Sequence, residues 1–207
     1  MKKTLAIIVF IFASFTSLNS FGQATTSSSN PAFGPGNFIL NPGIGFGYSY
    51  GYLGSFLPAI GLSGDYGLKV SAGPGTIGVG GVVAFKFGSY DYGYYGSDYS
   101  AHYSETIIAV RASYHWTPPG VDKLDLYAGI PLGVRLDHYS EYDPIVTGYD
   151  VYGNPIYKYE NVSATATDPF LGLYIGASYY FSNRVGVFAE VGYAVSAITI
   201  GLNFKLK

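Results

Sequence analysis

A chain of 207 residues with 29 Gly, 22 Tyr and 14 Phe but only 12% charged residues is rich in strand formers and poor in helix formers. Its 0 Cys exclude a disulfide framework and a lipid-modified N-terminal cysteine. A formal net charge of -2, about -4 once Lys2 and Lys3 leave with the leader described next, excludes the basic footprint of a nucleic-acid-binding protein.

Lys2 and Lys3 precede an apolar run from Leu5 to Phe15, mostly polar Thr16 to Ser20, and the small residues Gly22 and Ala24. That layout predicts a secretory signal peptide over residues 1–24, cleaved near 22–24 after Sec-type export. Its apolar run is shorter than the roughly 20 residues of a spanning helix, and no later segment is apolar for that length. The Ser/Pro/Gly-rich stretch over residues 25–37 has little to bury and is expected as a flexible lead. The folded domain is expected over residues 38–207.

From Phe38 onward, period-two alternation recurs in segments of about ten residues. The first strand sets Leu40, Pro42, Ile44, Phe46, Tyr48 and Tyr50 against Asn41, Gly43, Gly45, Gly47 and Ser49; the second sets Ile60, Leu62 and Tyr66 against Ala59, Gly61, Ser63 and Asp65. A turn over Gly67 to Gly75 leads to a third, with Ile77, Val79, Val83, Phe85 and Phe87 opposing Gly78, Gly80, Ala84 and Lys86. In the fourth, Thr106, Ile108, Val110, Ala112, Tyr114 and Trp116 oppose Glu105, Arg111, Ser113 and His115, and Pro118 to Gly120 ends it. The fifth presents Leu124, Leu126, Ile130, Leu132, Val134 and Leu136 against Asp125, Tyr127, Arg135 and Asp137, with a bulge expected at Pro131, which lacks a ladder donor. Segments over Phe170–Phe181 and Val185–Tyr193 follow, and the last strand sets Ile198, Ile200, Leu202, Phe204 and Leu206 against Thr199, Gly201, Asn203 and Lys205.

Segments with one dry and one polar face, about eight in number behind an export signal, predict an all-β, transmembrane, up-and-down antiparallel barrel. Its lipid face would carry Ile108, Val110, Leu132, Val134, Ile200, Leu202 and Phe204. A barrel of that size has an interior just filled by side chains, so the lumen is expected to be narrow.

The stretch Val187-Phe188-Ala189-Glu190-Val191-Gly192-Tyr193, leading into Ile200-Gly201-Leu202-Asn203-Phe204, resembles the small outer-membrane β-barrel family of Gram-negative bacteria, in particular the membrane domain of the outer membrane protein A type. The similarity spans most of the mature chain. It implies integral residence in the outer membrane, contact with outer-membrane lipid, a monomer, and a C-terminal strand read by the barrel-assembly machinery. Members of that family usually end on an aromatic residue, and here Lys207 follows Phe204 and Leu206. No peptidoglycan-binding domain follows the barrel, so tethering to the cell wall is not expected.

Inside the lumen, Lys86, Arg111 and Arg135 face Asp65, Glu105, Asp125, Asp137 and Glu190, where an unpaired ion would cost several kcal/mol. With Pro119 to Val121 centring the turn, Glu105 falls opposite Arg135, His115 opposite Asp125, and Arg111 opposite Gly129, which leaves Arg111 room to reach Glu190 across the lumen. This network is expected to act as a structural plug; as an ion gate it would serve a small channel.

The tetrapeptide His-Tyr-Ser-Glu occurs twice, at His102–Glu105 and His138–Glu141, and resembles the His-x-Ser arrangement of lipid A deacylases. No oxyanion donor can be assigned, so no catalytic residue is named and no enzyme is expected. Neither a cofactor nor a metal is expected, because no ordered Asp-x-Asp-x-Asp-Gly loop is present. Loops over residues 90–101 and 139–167 are rich in Tyr and Asp and would receive any extracellular ligand; Asp150 to Tyr159 reads as a hairpin continuing above the membrane. The favoured function is a structural or surface-interacting outer-membrane barrel. The alternatives are a small porin-like ion channel, a lipid A-modifying enzyme, and a secreted β-sandwich sugar-binding protein.

Overall fold

The computed structural model describes residues 31–47, 58–70, 72–94 and 97–206. The leader over residues 1–24, residues 25–30 of the lead, Tyr48 and Tyr50 lie outside the described residues. Among the described residues, no helix is long and apolar enough to cross a membrane.

The strands in chain order are β1 (Phe38–Phe46), β2 (Ala59–Gly67), β3 (Thr76–Tyr94), β4 (Ser97–Trp116), β5 (Leu124–Tyr149), β6 (Pro155–Leu171), β7 (Leu173–Tyr180), β8 (Val185–Tyr193) and β9 (Ile198–Lys205). All pairings are antiparallel, and the β1–β9 and β4–β5 pairs close the sheet on itself. β6 and β7 are two parts of one barrel strand, because both pair with β5 in a single continuous register, Leu132 with Leu171 and Gly129 with Tyr174. The result is a closed eight-stranded barrel, which removes the exposed sheet edges within it. A single closed sheet is not the two-sheet sandwich of the sugar-binding alternative.

Pro131 does not produce the expected bulge. The register of β4 on β5 runs through it unbroken, and the irregularity on β5 falls instead between Val146 and Gly148. Gly172 N–H donates to Pro131 O at 3.0 Å, and Pro131 has no N–H to return a bond. The ladder loses that bond, and the strand facing Pro131 is interrupted at Gly172 without a change of register.

Successive side chains alternate between the two faces. Ile108, Val110, Leu132, Val134, Ile200 and Leu202 face outward and are exposed, Val110 at 67%, while Phe204 faces outward and is half-buried. Aromatic residues edge this band at both ends: Tyr66, Tyr114, Trp116, Tyr179 and Phe181 beside the short turns, and Phe46, Phe85, Phe87 and Tyr193 at the other end. Connections over residues 68–70 and 72–75, 117–123 and 181–184 make the short-turn end.

At the opposite end, four strands continue past the barrel. β3 and β4 stay paired up to Tyr94 with Ser97, and β5 and β6 up to Tyr149 with Pro155, whereas β2 reaches β3 only as far as Lys86. The segment expected as a loop over 90–101 is therefore continuing strand over 90–94 and 97–101, and that over 139–167 is a tall hairpin that includes the one expected over Asp150 to Tyr159. Its tip is fixed by Asp150, whose carboxylate accepts from Tyr152 N–H, Asn154 N–H and Asn154 Nδ2, while Gly153 adopts a φ of 86°.

Residues 31–37, the described part of the expected lead, are packed against the short-turn end. Phe33 is 2% exposed, Ala32 N–H donates to Thr117 Oγ1 at 2.9 Å, and Gly36 N–H to Gly67 O at 2.8 Å. One aromatic ring in a Ser/Pro/Gly stretch is enough to anchor it, because the barrel mouth offers that ring a matching aromatic floor.

Candidate functional site

The lumen is stacked in layers, each set by which inward positions of neighbouring strands share a height. At the short-turn end the ring of His115 lies between Phe33, at 4.0 Å between centroids, and Tyr127, at 5.0 Å. His115 Nδ1 is 2.7 Å from Asp125 Oδ2 and Nε2 is 2.9 Å from Ser113 Oγ. Asp65 Oδ2 stands 3.8 Å from the same Nε2 and 3.0 Å from Arg111 Nη2, which joins this layer to the next.

Arg111 is the centre of the second layer. Its Nη2 is also 3.1 Å from Glu190 Oε1, to which Tyr127 OH donates at 3.1 Å, and its guanidinium lies 4.3 Å from the centroid of the Tyr174 ring. Glycines on the facing strands make room for these rings. A side chain at Gly129 would collide with Tyr174, and one at Gly176 with Tyr127. Gly129 thus accommodates Arg111 indirectly, by admitting the ring on which the guanidinium rests.

Above Arg111 the character changes. Val82, Ile107, Ala109 and Phe170 form a buried apolar cluster, with Val195 packed against it. Cavities of about 20 and 30 Å³, both bordered by Val82 and Val195 of this cluster, lie beside Arg111 and Asn41, each with room for a water or two. Above the cluster opens a cavity of about 300 Å³ lined by Lys86, Glu105, Ile107, Arg135 and Phe170. Lys86 Nζ is 2.8 Å from Glu105 Oε1; Arg135 Nε is 3.0 Å from Asp137 Oδ2 and its Nη2 3.1 Å from Asp168 Oδ2. Tyr103 OH bridges Glu105 at 3.2 Å and Asp137 at 2.9 Å.

The eight residues read from the sequence as one network therefore fall into two groups on either side of an apolar layer: Arg111, His115, Asp125 and Glu190 below, and Lys86, Glu105, Arg135 and Asp137 above. The expected cross-strand partners are corrected. Glu105 faces Asp137 rather than Arg135, His115 faces Tyr127 rather than Asp125, and Arg111 faces Pro131 rather than Gly129. The register is displaced by two residues because the turn centres on Gly120 to Asp122, with Leu124 N–H donating to Val121 O at 3.0 Å. Asp125 still reaches His115 along a diagonal, and Glu105 takes Lys86 on β3. Pattern alone did not assign roles to Tyr103, Tyr127, Tyr174, Asp168 and Phe33; inward parity could have marked the first three.

Ser113, His115 and Asp125 stand in the order of a hydrolytic triad, yet the surroundings suit a structural relay. Ser113 Oγ turns toward Gly78 O, an acceptor, and the Asp65 carboxylate sits near the position where an oxyanion would need donors. The two His-Tyr-Ser-Glu repeats fare no better as catalytic units. Their His and Ser residues face outward, while Glu105 and Glu141 lie at inward positions, so neither carboxylate orients a repeat histidine.

No family model and no curated protein matches the chain. Among solved structures, the attachment invasion locus protein Ail of Yersinia pestis, in complex with the heparin analogue sucrose octasulfate, is similar at 12% identity and a TM-score of 0.44, with 82% of this chain and 93% of that chain covered. The N-terminal β-barrel domain of Pseudomonas aeruginosa OprF is similar at 16% identity and a TM-score of 0.39, with 84% and 100% covered. The strand pairing of this chain, taken by itself, makes it an all-β protein whose fold is a closed antiparallel barrel of eight strands.

Proposed function

We propose that this chain is an integral outer-membrane barrel that acts without catalysis, through a sheet it presents to the medium. The observation that carries the reading is the continuation of β3 to β6 beyond the barrel. On β6, Pro155 to Thr167 are exposed on both faces, and only β5 pairs with this strand among the described residues. A free, two-sided sheet edge is a template for an added strand. Residence in the membrane is supported by the outward apolar band with its two aromatic girdles. The ion-paired layer around Arg111 and the apolar cluster above it support a plug rather than a pore, because an apolar layer between two charged ones resists wetting.

Shortening the hairpin by joining Tyr142 directly to Asn161 through a two-residue turn tests the surface role. Cells expressing the full chain should be captured on an array of immobilised extended peptides, and cells with the shortened hairpin should not, at equal surface display. Equal capture of both, or no capture of the full chain, contradicts the reading.

A further inference from the structure

On β5 the outward apolar face runs from Leu124 to Leu136, a rise of about 30 Å at the tilt of a closed barrel and hence the full height of a hydrocarbon layer. The next outward residues are His138 and Ser140. Register sets Ser104 of β4 opposite His138 and His102 opposite Ser140, so the two His-Tyr-Ser-Glu repeats lie side by side in antiparallel order. Thr165 of β6 faces His138, Ser163 faces Ser140, and on β3 Phe87 faces Ser104 and Ser89 faces His102. His102, Ser104, His138 and Thr165 are all exposed. His138 Nδ1 is 3.0 Å from Thr165 Oγ1, which leaves Nε2 for an external partner.

The charges of these strands are sorted by face. Glu105 is engaged with Lys86, and Asp137 and Asp168 with Arg135, all on the inward side, where Glu141 and Glu160 also fall by parity. The outward rungs at this height carry hydroxyls and imidazoles. Around His102 the described titratable neighbour is His138; around His138 they are His102 and, one rung above Ser140, Tyr142.

We propose that this surface binds the phosphorylated headgroup of an outer-leaflet glycolipid, with the His102–Ser140 and Ser104–His138 pairs as its donors. The proposal rests on the reading of the apolar band as lipid-facing. A phosphate ester offers several strong acceptor oxygens to hydroxyl and imidazole donors, and its bonds to an imidazolium are the stronger ones. An anion seated between these two rungs accepts from both pairs at once.

The test uses the whole chain reconstituted into phosphatidylcholine vesicles with and without bisphosphorylated lipid A, with the lipid A retained per protein after detergent extraction measured by mass spectrometry. Retention should fall about tenfold in His102→Ala with His138→Ala, while heat-modifiable migration shows the barrel still inserted. Undiminished retention in the double variant overturns the site. Equal competition by free inorganic phosphate overturns the lipid as its source. Failure of the unaltered chain to insert into any vesicle removes the lipid-facing reading itself, which is a different result from insertion without retention.

Discussion

Replacing Arg111 by Met removes a cation that serves two carboxylates at once. Its Nη2 stands 3.0 Å from Asp65 Oδ2 and 3.1 Å from Glu190 Oε1, with the side chains of Asp65 and Glu190 at 0% and 13% exposure. Breaking a buried ion pair by removing one partner costs about 3–5 kcal/mol, and Asp65, fully enclosed, carries the larger share here. Glu190→Gln is milder at about 1–2 kcal/mol, because Arg111 keeps Asp65 and Tyr127 OH can still donate to the amide oxygen. Combining Arg111→Met with Glu190→Gln leaves Asp65 still uncompensated and should recover little. Adding Asp65→Asn neutralises the cluster and should return the protein to within about 2 kcal/mol of the unaltered chain. Urea unfolding in detergent micelles, analysed by linear extrapolation, measures all four variants and Asp65→Asn alone. A triple variant as unstable as the sum of its single changes refutes the assignment of Asp65 and Glu190 to one cation.

Val110→Arg and Leu132→Arg, outward at mid-strand, should each lose about 2–4 kcal/mol when unfolded from a bilayer; tolerance of both would contradict a lipid-facing band. In planar bilayers, Arg111→Met alone should not raise conductance, because the layer of Val82, Ile107, Ala109 and Phe170 stays closed above it, whereas Ile107→Ser with Phe170→Ser should raise it; the opposite order would place the barrier at the ion pair. At the hairpin tip, hydrogen bonds from Asn154 hold the Asp150 carboxyl below the usual carboxylate range. A depressed folded-state value means that its contribution is present above the ordinary carboxylate pKa and is lost as pH falls through the folded value. Protection of the Tyr152 and Asn154 amides from hydrogen exchange should therefore fall only in acid; constant protection would mean the carboxylate does not hold the turn.

Strand identity and facing were legible because lipid and lumen impose opposite demands on alternate residues, as in Ile198 to Lys205 or Leu124 to Asp137. Register was less so. One displacement of the turn, from Pro119–Val121 to Gly120–Asp122, moved every β4–β5 partner by two residues, which preserves facing and changes who meets whom. The hairpin over Asp150 to Tyr159 was legible from its Gly153-Asn154-Pro155 turn, whereas the rest of the upper strands reads as loop: β6 from Pro155 to Thr167 is exposed on both faces and has no apolar face to betray its period. Phe33 escaped notice because an isolated aromatic residue in a Ser/Pro/Gly stretch carries no periodicity; its value lies in His115 and Tyr127, far along the chain.

The central claim is that this barrel crosses the outer membrane with its tall hairpins in the medium. Intact expressing cells treated with a broad-specificity protease, followed by mass mapping of the cut sites, test it most directly. Cuts should cluster at the Asp150–Asn154 tip and leave the turn over residues 117–123 whole until the outer membrane is permeabilised. Cleavage of that turn in intact cells would invert the topology, and recovery of uncut protein in the soluble fraction would contradict membrane insertion altogether.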